Sequence, residues 1–208
     1  MRNKLGNGFM ILGAALMIAA LSLFLHNQNE AAAAEKASVA LLPQLVEEIE
    51  LQLSEGTEAT QEVPGTPVEL LDPSAFEMTE VEIDGYGYIG YLSIPDLELE
   101  LPVMADWDYG RLKIAPCRYV GSTKGEDLVI MAHNDTHHFG RLSELSEGAS
   151  VIFVDMDGNT TNYEVVALDI LAPTAVEEMT SGDYDLTLFT CTYGGKSRVT
   201  VGCDLVKN

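Results

Sequence analysis

The sequence predicts a mainly β domain, built as a closed barrel or a sandwich, behind an N-terminal membrane helix. Three observations predict this class. From Tyr86 onward, seven or so short apolar segments alternate with turn residues, with little helical periodicity. A 17-residue run without a charge, at residues 9–25, lies near the N-terminus. Between these two parts, residues 26–80 are acidic and rich in turn formers.

The apolar run at residues 9–25 predicts a transmembrane helix. It rises roughly 25 Å as an α-helix, at the short end of what crosses a bilayer, and its only polar member is Ser22. Arg2 and Lys4 precede the run, whereas every acidic residue follows it. The positive-inside rule therefore predicts that residues 1–8 are cytoplasmic and that the rest of the chain is extracellular.

A cleaved signal peptide is the alternative interpretation of this run. The apolar core of a signal peptide is usually shorter, about 7–15 residues. Small residues suited to cleavage follow at positions 31–34, but the polar residues 26–30 separate them from the run. We therefore expect an uncleaved single-pass anchor. The abrupt change from basic to acidic flanks argues against a buried core helix.

The charge of the chain is strongly acidic. It has 33 acidic and 11 basic residues, which gives a formal net charge of −22. Such a composition excludes general nucleic-acid binding, because phosphate recognition needs a basic surface. It also argues against electrostatic docking on anionic lipid, so the predicted membrane contact is the N-terminal helix. The acidic surface is interpreted as soluble and self-repelling.

Residues 26–80 are predicted to form an acidic extracellular stalk and linker. One helix is expected near residues 35–54, where apolar residues recur at steps of three and four, and Pro43 is expected to kink or interrupt it. We interpret this helix as a stalk resting on the domain or the membrane surface, with a regulatory or dimerising segment as the alternative. Residues 55–80 are interpreted as linker. The apolar stripe consists of Val39, Leu42, Val46, Ile49 and Leu53.

Residues 81–208 are predicted to be the β domain. Asp157-Gly158-Asn159 is typical of a hairpin turn, and a calcium loop is disfavoured there because the glycine comes too early and no closing glutamate follows. Short helices are expected at 106–113 and 139–145. The predicted strands are Tyr88–Ile94, Leu97–Val103, Asp127–Ala132, Val151–Met156, Thr160–Leu171, Asp185–Thr190 and Ser197–Val206.

A cysteine, an arginine and a histidine are the candidate catalytic residues. Cys191 follows an alternating apolar strand, Arg198 comes seven residues later, and His133 ends another apolar strand far upstream. A cysteine attacks well only as a thiolate, a cationic neighbour stabilises that form, and a histidine carries protons. Each residue also has a non-catalytic interpretation. Cys191 would be a buried thiol, Arg198 a surface arginine and His133 a structural histidine.

Four separated motifs stand out between about residues 86 and 206. They are Tyr88-Ile89-Gly90-Tyr91-Leu92-Ser93-Ile94-Pro95 with Leu101-Pro102-Val103, Ala132-His133-Asn134, Thr187-Leu188-Phe189-Thr190-Cys191, and Arg198. In content and order they resemble the sortase family, the cysteine transpeptidases of the bacterial cell surface. The resemblance implies an eight-stranded barrel with short helices and a site at one mouth.

The resemblance also implies how these residues act. Cys191 would attack the carbonyl of a sorting signal near the C-terminus of a secreted protein and leave a thioester. His133 would protonate the leaving amine and deprotonate the incoming one, an amine of a cell-wall precursor or a pilin. Arg198 would stabilise the oxyanion. This chemistry requires no cofactor, and the resemblance implies a domain outside the membrane of a bacterium, of the Gram-positive type.

Three further residues are predicted to line the substrate or oxyanion site: Thr190, the Thr192 backbone N–H and Asn134. Tyr193 stands where some family members carry an acidic residue two positions after the cysteine. The interval from the cysteine to the arginine is also shorter than in many sortases. The class within the family is therefore left open.

Two residue pairs leave other chemistry to consider. Cys117 and Cys203 form either a disulfide, which is permitted outside the cell, or two buried free thiols. His133 and His137 are four residues apart, as in zinc-binding helices, but no glutamate lies between them and a strand precedes them. No metal site is predicted.

Two other functions stay open beside the transpeptidase. A surface cysteine hydrolase would release the same thioester to water, and its product would be a free acid rather than an amine adduct. A non-catalytic anchored binding module would keep the fold without the reaction, and its thiol would not react with a thiol reagent.

Overall fold

A computed structural model describes residues 2–56, 76–181 and 183–207. Most of the predicted linker, residues 57–75, lies outside this described part. The long helix α1 is Arg2–Gly56 and the short helix α2 is Val176–Thr180. The strands are β1 (Val81–Ile83), β2 (Tyr86–Ile94), β3 (Leu99–Met104), β4 (Cys117–Val120), β5 (Leu128–Met131), β6 (Ser150–Asp155), β7 (Thr160–Leu171), β8 (Leu186–Cys191) and β9 (Arg198–Leu205).

Eight of these strands close into a barrel. Their order is β2-β3-β4-β5-β8-β9-β7-β6, and β6 pairs back with β2. The pairs β3–β4 and β5–β8 are parallel, whereas the other pairs are antiparallel, so the barrel is mixed. Strand β1 pairs with the first residues of β2 and adds a ninth strand outside the ring. The prediction of a closed eight-stranded barrel with short helices is confirmed.

Strand β8 is buried on both of its faces, on one by the barrel interior and on the other by an apolar cluster outside the barrel. Its inward residues Leu186 and Leu188 belong to the main core. Its outward residue Phe189 packs with Val129 and with Met179 of α2 in a separate apolar cluster. Residues of β8 are consequently buried on both faces until Cys191, the first exposed position of the strand.

The second half of α1 packs against the barrel. Leu41, Leu45 and Ile49 are spaced by four residues, lie on one helix face and are buried against residues of β2, β3 and β4. The expected stripe shares only Ile49 with this face, because Val39 and Leu53 are exposed. The helix is apolar on more than one side here, and the barrel surface decides which side is covered.

Helix α1 continues through Pro43 without interruption. Its first half contains Gly8–His26, which is 19 residues long, has a mean hydropathy of 2.4 and has no part buried against the rest of the described protein. By length and composition this segment is apolar enough to cross a membrane, and a signal sequence would have the same properties.

Local chemistry shifts some element boundaries from the predicted ones. Pro95–Leu97 is a 3-10 helix and Glu98 is left-handed (φ 54°), so β3 begins two residues later than expected. Of the helix expected at 106–113, only Arg111–Lys113 forms, as a 3-10 turn. Asp108 Oδ1 accepts the backbone N–H groups of the second and third residues after it, an alternative to helical bonding. Strands β1 and β4 and helix α2 were not predicted.

Candidate active site

The three candidate catalytic residues lie at one edge of three adjacent strands. Strands β5 and β8 run parallel with Met131 opposite Phe189, so His133 and Cys191 follow at the same end. Strand β9 runs antiparallel to β8 and begins with Arg198, directly opposite Cys191. The topology therefore brings the backbone positions of His133, Cys191 and Arg198 to one edge, although His133 is far from the other two in sequence.

Cys191 is the exposed cysteine of the three in this chain. Cys117 lies under α1 and Cys203 lies in the barrel interior, each completely buried and unbridged. Burial raises the pKa of each of these two thiols to about 12, because the charged thiolate is disfavoured away from water. The described structure thus contains two protonated core thiols and one accessible thiol at a strand end.

The connection from β8 to β9 is a tight turn that holds Arg198 beside the thiol. The Thr192 N–H donates to the Ser197 carbonyl at 2.9 Å, which closes the turn. Gly194 has a φ of 80° and the next glycine one of 69°, a left-handed pair that lets the chain reverse in few residues. Arg198 Nη1 donates to the carbonyls of Gly195 at 3.3 Å and Ser197 at 3.1 Å.

The residues predicted to line the substrate site have other partners in this fold. Thr190 is buried, and its hydroxyl donates to the Ala132 carbonyl at 2.8 Å, which ties β8 to the chain just before the histidine. The Thr192 N–H is engaged within the turn. Asn134 is half-buried. A substrate-lining role for Thr190, Thr192 and Asn134 stays a prediction.

The loop after β5 fixes the backbone of His133. The His133 side chain is exposed. The backbone carbonyl of His133 accepts the N–H of Phe139 at 3.2 Å. Asp135 Oδ1 accepts the N–H groups of His137 at 2.8 Å and His138 at 3.1 Å, so the loop winds around this carboxylate. Phe139 is completely buried and anchors the far end. The result is a compact turn at the mouth of the barrel.

A row of aromatic rings approaches the thiol along the outer face, and the sequence reasoning did not identify it. The Trp107 and Tyr119 ring centroids are 5.6 Å apart, and Tyr119 meets Phe189 edge-on at 5.4 Å. Phe189 precedes Cys191 by two residues and therefore shares its face of β8. The chain's single tryptophan, in a polar loop, was the available signal.

The described residues form no cluster of side chains suited to binding a metal ion. Among the described residues, no group of three or more His, Cys, Asp or Glu side chains is arranged to hold a metal ion. The segment at 155–159 is a hairpin turn, in which the Asp155 carboxylate accepts the backbone N–H of Asn159 at 2.8 Å.

Comparison with known proteins gives the same family from sequence and from structure. A family model described as a sortase domain matches residues 92–206. The chain is similar to sortase C of Streptococcus pneumoniae, with 23% identity, a TM-score of 0.54 and coverage of 77% of this chain and 89% of that one. No curated protein matches the chain.

Two other solved structures are similar. Sortase C1 of Streptococcus suis is 26% identical with a TM-score of 0.50, covering 58% of this chain and 74% of that one. Sortase A of Corynebacterium diphtheriae is 24% identical with a TM-score of 0.54, covering 59% of this chain and 62% of that one. The chain thus spans less than two thirds of the C. diphtheriae protein.

Proposed function

Because this chain belongs to the sortase family, we propose that it is a membrane-anchored cysteine transpeptidase that transfers the acyl group of a secreted protein to an amine. The observation that carries the proposal is the edge shared by β5, β8 and β9. There an exposed thiol stands opposite an arginine and beside the end of the histidine strand.

The first half of the reaction makes a thioester. The Cys191 sulfur attacks the carbonyl carbon of a sorting-signal peptide bond, an S–C bond forms, and the C–N bond breaks. His133 gives its proton to the leaving amine. The exposure of Cys191 supports this role, since the other two thiols are completely buried.

The second half reverses the proton movement. An incoming amine attacks the thioester carbon, the new C–N bond forms, and the thiolate leaves. The amine's proton passes to His133, which restores the starting state. Arg198, fixed by two carbonyls of the β8–β9 turn, stabilises the negative charge on the carbonyl oxygen in both halves.

The proposed location follows from the N-terminal segment. Gly8–His26 is the membrane span, with Arg2 and Lys4 on the cytoplasmic side and the barrel outside the cell. A secreted protein that carries a sorting signal is then the acyl donor. A cell-wall precursor or a pilin supplies the amine.

Mass spectrometry of the full chain in detergent micelles tests the reaction. The protein is incubated with a panel of sorting-signal peptides, alone and with candidate amines. We expect a covalent acyl adduct on Cys191 and, when an amine is present, the peptide–amine product. Cys191→Ala should give neither, while Cys203→Ala, the matched substitution of a core cysteine, should give both.

Three outcomes would change the conclusion. A free acid as the sole product, with every amine tested, would identify a hydrolase. No adduct, together with no reaction of native Cys191 with iodoacetamide, would favour a binding module. Turnover by a verified Cys191→Ala variant would overturn the thiol mechanism.

Protease treatment of intact protoplasts tests the topology. The barrel should be digested, because the proposal places it outside the membrane. Protection of the barrel would refute the orientation, and a mature N-terminus near Ala34 would refute the anchor.

A further inference from the structure

His138 is a completely buried histidine, and within the described part of the chain neither of its ring nitrogens makes a hydrogen bond of ordinary geometry. Buried polar atoms are almost always well paired, because removing one from water without a good partner is costly. An apolar side chain would avoid this cost at the same position. The proposed mechanism does not use this ring, although it lies five residues after the proposed proton carrier, so its presence needs an explanation.

A carboxylate of the same loop faces this ring. His138 Nδ1 lies 3.4 Å from Asp135 Oδ2, an ion-pair distance without hydrogen-bond geometry. The other carboxylate oxygen, Oδ1, accepts the backbone N–H groups of residues 137 and 138. One carboxylate therefore shapes the backbone through one oxygen and faces the buried imidazole through the other.

The same loop determines where His133 stands. The Asp135 carbonyl accepts the N–H of Gly140 at 2.8 Å, and a Cβ at Gly140 would lie 2.5 Å from that carbonyl oxygen. The next bond, from the Phe139 N–H to the His133 carbonyl, closes the loop on the proposed proton carrier. Because Phe139 directly follows His138, a displacement of His138 would disturb this hydrogen bond to His133.

The electrostatic surroundings favour the neutral ring. Burial lowers the pKa of His138 from its ordinary value of 6.5, the Asp135 carboxylate opposes that shift, and the neighbouring His133 and His137 add to it. The Ile114 backbone, in the segment between β3 and β4, also approaches the ring and raises the pKa, although the contact falls short of ordinary hydrogen-bond geometry. Burial is the largest of these effects, so the folded loop resists a proton that the opened loop accepts.

We propose that His138 and Asp135 form a positioning pair for His133, in which the neutral ring of His138 keeps the loop at residues 133–140 closed and protonation of that ring opens it. The stability of the loop is then fully present at neutral pH, and it is lost as the pH falls below the pKa of an ordinary histidine. Acidification therefore moves His133 out of its working position and leaves Cys191 unchanged. The proposal rests on the proposed role of His133, but its test needs no turnover.

Histidine NMR of the full chain in detergent micelles tests the pair directly. The chain has four histidines, so the ring carbon signals can be assigned by single substitutions between pH 8 and 5. We expect the His138 signal to titrate at a lower pH than in a peptide of residues 131–140. Asp135→Asn should move that midpoint lower still, because it removes the carboxylate that holds the proton.

Hydrogen exchange of the loop amides supplies the positioning readout. In the window between the folded and unfolded pKa values, the Phe139 protection factor should fall about tenfold per unit of decreasing pH. His138→Met fills the space with an apolar side chain and should leave protection nearly independent of pH over that range. His137→Gln, the matched control in the same loop, should keep the fall in protection with decreasing pH, with its midpoint moved slightly higher because a neighbouring charge that lowers the His138 pKa is gone.

The results separate the two proposals. An unchanged pH dependence in a folded His138→Met variant, or a His138 midpoint at or above that of the peptide, would overturn the positioning pair. If the NMR and exchange results hold while no peptide is ever cleaved, the pair stands and the transpeptidase proposal fails. If peptides are cleaved, kcat should show the same pH dependence as the loop protection, whereas KM should change little.

Discussion

Strands β8 and β9 carry one cysteine at each end of their shared ladder, and the two ends have opposite surroundings. At one end Cys203 pairs with Leu186, has no exposed surface and has a pKa raised to about 12 by burial. At the other end Cys191 pairs with Arg198 and is exposed. Both thiols belong to the same two strands, separated by a few residue pairs.

This difference shows that the face of the barrel wall and the distance from a strand end, rather than residue type, separate a packing thiol from an accessible one. The outward face of β8 is covered by Met179 and its neighbours up to Phe189, and the cover ends where the strand ends. A thiol at the very end of the strand is exposed to water, in register with an arginine, instead of being covered by apolar side chains. Four substitutions or reactions can break or sharpen this contrast.

Native alkylation should show the largest difference. At pH 8 a thiol with a pKa of about 12 is about one part in ten thousand thiolate, and burial also denies access to the reagent. Iodoacetamide should therefore modify Cys191 at least about 10³-fold faster than Cys117 or Cys203, as followed by intact-protein mass spectrometry. All three should react in denaturing guanidinium chloride. Similar alkylation rates at two or more of the cysteines in the native protein would contradict the expected difference between the exposed thiol and the buried ones.

Removing the arginine opposite the thiol should have the next largest effect. Arg198→Ala should lower kcat by about 10²–10³, about 3–4 kcal/mol, because in the proposed mechanism Arg198 stabilises charge that develops in the transition state. Arg198→Lys keeps the charge but not the planar fork and should recover part of the loss. Peptide-cleavage kinetics measure both. A rise in KM with kcat unchanged would mean that Arg198 holds substrate instead.

Shortening the core thiol should affect stability rather than chemistry. Cys203→Ala should destabilise the fold by about 1–2 kcal/mol, through the lost burial and the small cavity left behind. Urea unfolding followed by the fluorescence of Trp107 measures this, and kcat of the folded fraction should not change. A large fall in kcat at full stability would mean that the two ends of the ladder are coupled.

The smallest effect is expected at the tie between β8 and β5. Thr190→Val removes the hydroxyl that donates to the Ala132 carbonyl and should cost about 1 kcal/mol of unfolding free energy. Thr190→Ser keeps the donor and serves as the control. If Thr190→Val instead raises KM strongly with stability intact, the hydroxyl contacts substrate, as the sequence predicted.

Much of the barrel could be predicted because its strands are simple in sequence. The alternation in β2, β6 and β9 and the turn at Asp157-Gly158-Asn159 are local signals. Strand β4 was missed because it is four residues long and contains Arg118. The α1 face was chosen wrongly because two apolar stripes compete, and the contact with the barrel, which is not local, selects one of them.

The candidate site was partly predictable for the same reason. The histidine, thiol and arginine stand out at strand ends, and the β5–β8 and β8–β9 pairings bring those ends to one edge. The burial of His138 and the stacking of Trp107 on Tyr119 were not predictable, because each depends on segments that meet only in the folded chain. Adjacent histidines suggested at most a metal site, and no such cluster is found among the described residues.

The continuity of α1 has a mechanical consequence for where the barrel can work. About 15 helical residues separate His26, the end of the apolar segment, from Leu41, the first apolar residue buried on the barrel, a rise of about 22 Å. With the apolar segment in a bilayer, such a helix is a spacer of set length rather than a flexible tether. Under the proposed function, the thiol then stays within a thin layer above the lipid, where encounter is two-dimensional, and acceptors held in that layer are reached before more distant ones.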